Sequence, residues 1–225
     1  LLTLCSLAMA RQGFAQSNVV EHAPSRWNIS LGLGAGVHAA PFLVDYMNAF
    51  RQSQAGERLD DFSSMIEFFV TPEYRLEPAW SVGLEYSLLT KSQTVGGGQN
   101  SAGSEFTYNV HMPTAIVHHV IDGSSYFVKL GGGVGYHFAT LRQTLYAFGV
   151  EEDFTASGVG VKLEAVGNTK FDETLYGVVG VDLRWGFLGA FKNAAGVEAF
   201  ERATNTTARM QFFSLSLKFG VMFQL

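Results

Sequence analysis

From Trp27 onward, the hydrophobic residues of this chain recur at every second position. Extended backbone has that period, because successive side chains of a strand point to opposite faces. Trp27, Ile29, Leu31, Leu33, Ala35 and Val37 alternate with Asn28, Ser30, Gly32, Gly34, Gly36 and His38. Ile66, Phe68, Val70, Tyr74 and Leu76 then oppose Glu67, Thr71, Glu73 and Arg75, and Trp80, Val82, Leu84, Tyr86 and Leu88 oppose Ser81, Gly83, Glu85 and Ser87. Phe106, Tyr108, Val110 and Met112 read as the apolar face of a fourth segment, against Thr107, Asn109 and His111. Segments around Tyr126–Tyr136, Val159–Ala165, Leu175–Trp185 and Phe213–Phe223 repeat the pattern, which predicts about eight strands.

The polar faces carry the charge: Glu67, Glu73, Arg75, Glu85, Lys129, Lys162, Glu164, Asp182, Arg184 and Lys218. The apolar faces carry almost none. Alternation alone leaves open which face points outward, since a soluble sandwich or a lipocalin-like barrel also alternates. Length and composition narrow the choice. The chain has 225 residues, enough for one barrel, and its hydrophobic content of 47% excludes a disordered polymer. Its mean hydropathy of +0.13 is too polar for a bundle of membrane helices. Each such helix needs about 20 consecutive apolar residues. The net charge of -5 without a block of Lys or Arg excludes a nucleic-acid partner.

Three features favour an outward apolar face. Connections alternate between long (39–64, 91–104, 139–157, 188–209) and short (77–79, 122–125, 167–173), as in a barrel with long outer loops and tight periplasmic turns. The aromatic residues sort into two expected belts. Trp27, Tyr74, Trp80 and Tyr126 lie towards the short turns, and Phe106, Tyr108, Tyr136 and Trp185 towards the long loops. Finally, the sequence runs into its last strand up to Leu225, as expected where that strand pairs with the first to close the barrel.

Residues 1–15 read as the hydrophobic part of a secretory signal whose basic start is missing, with Ala8-x-Ala10 and Gly13-x-Ala15 as candidate cleavage sites. Residues 16–26 are then a periplasmic lead-in, and 27–225 the barrel. The only cysteine, Cys5, falls in the signal, so no disulfide or thiolate metal site is expected in the mature chain.

The signal, the eight alternating strands, the Gly-rich polar faces and the terminal Phe213-Ser-Leu-Ser-Leu-Lys-Phe-Gly-Val-Met-Phe-Gln-Leu225 resemble the small outer-membrane β-barrel superfamily of OmpX, OmpW and the OmpA barrel domain. That resemblance implies an all-β, eight-stranded, antiparallel, up-and-down transmembrane barrel in the bacterial outer membrane, with both termini periplasmic. It implies outer-membrane lipid, lipopolysaccharide and the barrel-insertion machinery, met through the C-terminal strand, as partners. Because it is architectural, it carries over no functional residue. Its members include adhesion proteins, narrow pores and channels for small hydrophobic molecules.

The candidate sites lie inside and above the barrel. The ten inward charges form either a self-neutralising network or the lining of a lumen that the inner glycines (Gly32, Gly34, Gly36, Gly131, Gly133, Gly158, Gly160, Gly180) open to water. His38, His111 and His137 are expected inward, without a recognised metal-ligand spacing, whereas adjacent His118 and His119 must point to opposite faces. Residues 42–51 have helical apolar spacing and predict a short amphipathic helix at the rim; Phe187–Val197 is expected on lipid or over the mouth. The reading is a non-enzymatic barrel without cofactor or metal, with a structural, surface-interaction or narrow-pore role. A passive channel for small or hydrophobic solutes, a lipid-A-modifying enzyme using His38 and His137, and a soluble lipocalin-like binder are its alternatives.

Overall fold

A computed structural model describes residues 26–50, 58–96, 103–146 and 149–225; the expected signal and nearly all of the lead-in lie outside the described residues. Eight strands form a closed antiparallel barrel: β1 (Trp27–Ala39), β2 (Phe62–Glu77), β3 (Trp80–Val95), β4 (Ser104–Asp122), β5 (Tyr126–Leu145), β6 (Val150–Lys170), β7 (Leu175–Ala190) and β10 (Arg209–Gln224). Each pairs with its sequence neighbour, and β10 pairs with β1 in an unbroken register from Asn28↔Gln224 to Ala39↔Phe213. Closure leaves no sheet edge, so the backbone N–H and C=O groups find partners between strands. Two small elements sit in the last long connection, β8 (Phe200–Glu201) and β9 (Thr206–Thr207). One helix, α1 (Pro41–Ala49), follows β1.

Prolines mark where the ladder slackens. Pro72 pairs with Ile29 of β1, but the β2–β3 register is interrupted between Val70 and Glu73; Pro113 pairs with Tyr86, and the β4–β5 register is interrupted between His111 and Thr114. A residue without N–H forfeits one ladder bond, and here each loss falls on one neighbour only.

The outward faces are apolar over the lower part of the barrel, with Leu84, Val117, Leu163, Val179 and Leu217 all exposed. Above that band the polarity inverts. On the upper parts of β4, β5 and β6, Thr107, Asn109, Arg142, Asp153 and Thr155 face out, while Phe106, Tyr108, Val110, Leu141 and Phe154 face in. Strands β5 and β6 have 20 and 21 residues, whereas about 9–11 suffice to cross a bilayer. Their surplus stands above the apolar band with the polarity of a water-soluble protein. The expected long loop 139–157 is therefore mostly strand, and only 146–149 link β5 to β6, turning through Gly149 at φ +61°.

This inversion corrects three expectations. Phe106 and Tyr108, assigned to the upper aromatic belt, are 0% and 3% exposed and pack inside. His111, expected inward, faces out, where Tyr86 Oη meets its Nδ1 at 2.6 Å. The apolar alternation of that segment is real, but above the exposed apolar band it marks the inside of the barrel. The other belt residues face out as expected: Trp27 stacks on Tyr74 with ring centroids 5.0 Å apart, and Trp185 on Phe213 at 5.4 Å, while Trp80, Tyr126 and Tyr136 are exposed.

Candidate functional site

The inward side chains form three layers. The middle layer is a network of charges drawn from seven of the eight barrel strands. Lys129 (β5) donates to Glu73 (β2) at 2.8 Å, and His118 (β4) joins that carboxylate to Glu164 (β6). The His118 Nε2 lies 2.7 Å from Glu164; its Nδ1 is 3.3 Å from Glu73 without hydrogen-bond geometry. Lys162 (β6) and Lys218 (β10) both reach Glu164 and both meet Glu85 (β3) at 2.6 Å. Arg184 (β7) gathers Glu85 at 3.0 Å, Glu67 (β2) at 3.2 Å and Asp182 (β7) at 3.4 Å, and the Ser216 (β10) hydroxyl lies 2.8 Å from Asp182 and 3.1 Å from Glu67. All these side chains are buried. Separating charges from water costs several kcal/mol per ion. Each member here has an opposite charge or hydrogen-bond partner in direct contact, which is the condition under which such a layer holds.

Nine of the ten charges expected inward belong to this network. Arg75 does not: it sits at the short-turn end, donating to the Pro78 carbonyl and to Asp122 at 2.5 Å. It belongs to the inward parity of β2 but lies beyond the last layer, where the turns begin. His118 is the member that sequence reasoning missed. Its parity matches Phe106 and Met112, so the misjudged face of β4 hid it.

The upper layer is apolar. Leu43, Tyr46 and Met47 of α1 descend into the barrel mouth and pack with Met65, Leu89, Phe106, Leu141, Phe191, Met210 and Phe212. The Tyr46 hydroxyl donates to Gln143 at 2.8 Å, and Asn48 exchanges two hydrogen bonds with the Leu59 backbone. The helix expected at the rim is therefore a plug, because its apolar face finds a larger apolar partner inside the barrel than at its edge. Phe191, expected on lipid or over the mouth, closes the same core from the last long connection. His38 and His137 lie inward beneath it, as expected, on either side of Phe212, with ring centroids 5.1 and 6.2 Å from it. Among the described residues, none of their four ring nitrogens has a hydrogen-bond partner. Among the described residues, no three His, Cys, Asp or Glu side chains are placed to hold a metal ion.

Three inner glycines make room for large side chains. A Cβ at Gly160 would lie 2.0 Å from the His137 ring, one at Gly186 2.1 Å from Phe212, and one at Gly34 2.6 Å from Glu67 Cγ. Each missing side chain is a socket for a large one from a neighbouring strand. Among Ser30, Phe69, Glu85, His118 and Lys218 there remains a void of about 20 Å³, the room of about one water.

Below the network, Phe127 and Tyr176 meet edge to face at 5.5 Å and, with Met222, Val166 and Val178, form a thin apolar floor. Beneath that floor a cavity of about 520 Å³ opens at the short-turn end. Sequence reasoning did not anticipate it, because its wall is assembled from three turns and both ends of the barrel.

No protein-family model matches the chain, and no curated protein sequence matches it. Solved structures do. Neisserial surface protein A aligns over 90% of this chain and 99% of its own at 11% identity, with a TM-score of 0.52. Ail of Yersinia pestis, in complex with the heparin analogue sucrose octasulfate, aligns over 88% and 99% at 11% identity and a TM-score of 0.49. The outer membrane protease OmpT of Escherichia coli aligns over 90% and 98% at 8% identity and 0.44. At such identities the likeness concerns architecture alone. The closed eight-stranded ring, the exposed apolar band and this likeness together give the chain the fold of the small bacterial outer-membrane β-barrels.

Proposed function

We propose that the chain is a closed, non-conducting and non-enzymatic barrel of the bacterial outer membrane, acting through the part that stands above the lipid. One observation carries this reading: the α1 core fills the barrel mouth and the charge network crosses the lumen beneath it, around a water-sized void. A transmembrane solute path has no continuous volume to follow, which weighs against the narrow-pore and channel readings. The apolar residues of the lower band face out, which weighs against a lipocalin-like binder, whose apolar residues line its interior.

In this reading the short turns and both chain termini face the periplasm, and the extended β3–β6 hairpins face the exterior. Lipid and lipopolysaccharide surround the belts, and β10, with Phe219 and Phe223 outward, meets the insertion machinery. The outer wall of the extension presents Glu105, Arg142, Glu151 and Asp153, a polar surface suited to contact with other molecules.

The test is electrical. Purified protein in planar bilayers is expected to leave the current at the lipid baseline, and reproducible unitary steps would overturn the closed-barrel reading. Labelling of single cysteines in intact cells checks the orientation: Thr155→Cys should react with an impermeant reagent, and Ser124→Cys only after the membrane is breached. Lipid A mass spectra unchanged by expression are expected if the chain is no lipid-modifying enzyme.

A further inference from the structure

The cavity at the short-turn end has the build of a binding site. Its volume of about 520 Å³ lies within the 300–1,000 Å³ usual for ligand pockets. Its rim is fixed by backbone hydrogen bonds between successive turns: Val120 to Ala79, Lys170 to Ser125, Gln224 to Thr174 and Arg75 to Arg26. Arg75 clamps two of the turns through Pro78 and Asp122. A mouth held this way is formed before any ligand arrives, which lowers the ordering cost of binding.

Its chemistry selects a ligand. Arg26 and Lys170 line the cavity and form no ion pair among the described residues; Glu77 is the one lining carboxylate besides the paired Asp122, so the wall keeps one cation in excess. Asn28, from the first strand, also lines it, and its buried Oδ1 has no hydrogen-bond donor among the described residues. The floor is the apolar Phe127–Tyr176 pair with Met222. A fitting ligand brings a negative group for the two cations, an N–H for Asn28 and an apolar side chain for the floor. A phosphate or a simple sugar lacks at least one of these. The last residue of an extended peptide has all three.

We propose that this mouth binds the free carboxylate end of a peptide with an apolar final residue. That the peptide comes from the periplasm rests on the orientation proposed above; the binding itself does not. The full chain in a non-ionic detergent is dialysed to equilibrium against N-acetyl-alanyl-phenylalanine and, separately, against its C-terminal amide. The acid is expected to bind at least about tenfold tighter than the amide. The Arg26→Gln/Lys170→Gln double variant should remove that preference, and Asn28→Leu should weaken both ligands equally. Gel mobility of unheated against boiled samples verifies that every variant is folded. Equal binding of acid and amide, or none at millimolar ligand, overturns the proposal. N-acetylphenylalanine, which carries the same carboxylate, N–H and apolar side chain, should bind comparably, whereas acetate binding as tightly as the dipeptide overturns the proposal, because the site would then be one for small acids. Failure of the labelling experiment with intact binding changes only the compartment that supplies the peptide.

Discussion

Arg184 on β7 donates to Glu85 on β3 at 3.0 Å across the barrel, and the same carboxylate receives Lys162 and Lys218 at 2.6 Å. One carboxylate thus contacts three cations from three other strands. Glu85→Ala takes one carboxylate contact from each of three buried cations, and breaking a buried pair costs about 3–5 kcal/mol. Urea unfolding in detergent is expected to show a loss of that size. A loss under about 1 kcal/mol would mean that water reaches the layer.

The glycine sockets predict a reciprocal effect. Gly160→Ala places a methyl group 2.0 Å from the His137 ring, and overpacking of this kind costs about 1–3 kcal/mol. Because the clash is with one side chain, His137→Ala in the same chain should recover part of the loss. A double-mutant cycle measures the coupling, and simple additivity would refute the socket.

Opposite faces of α1 should respond differently. Leu43 is 0% exposed within the plug, while its neighbour Phe42 is 47% exposed. Leu43→Ala is expected to cost about 2–5 kcal/mol. Phe42→Ala should stay within about 0.5 kcal/mol, the range of ordinary surface substitutions. Equal effects would place the helix outside the barrel.

In the proposed membrane setting, the height at which polarity inverts is the lipid boundary. Leu217 faces out in the apolar band, and Thr140 faces out on the extension above it. Leu217→Arg should destabilise the barrel in liposomes by about 2–4 kcal/mol, against about 0–1 kcal/mol for Thr140→Arg, following the depth dependence of charge on a lipid-facing wall. Similar costs at both positions would show that the band is not the membrane contact.

Much of this molecule is legible along the chain because strand periodicity is local. Trp27 to Val37 need no partner to show one apolar and one polar face, and Glu67, Glu85, Lys162 and Arg184 declare the inner wall by sitting opposite Phe68, Leu84, Leu163 and Leu183. The number of strands, their alternation and the turn at Pro78 follow from the same reading. On β4 that reading reverses, because an apolar face means lipid below the boundary and protein core above it. No short-range pattern records the height at which a residue sits.

What the sequence by itself determined is the barrel wall: extended segments with opposed faces, joined by turns and long enough to span lipid. Only the tertiary structure decided what fills it. Glu85 meets Lys162, Arg184 and Lys218 because closure of β10 onto β1 sets the stagger of all eight strands together. The α1 helix enters the mouth because that closure leaves an apolar hollow lined by Phe106, Leu141 and Met210. The cavity by Arg26 and Lys170 arises where turns far apart in sequence meet around one opening. Pairings of this kind depend on the register of the closed ring, a long-range property that two-residue alternation does not contain.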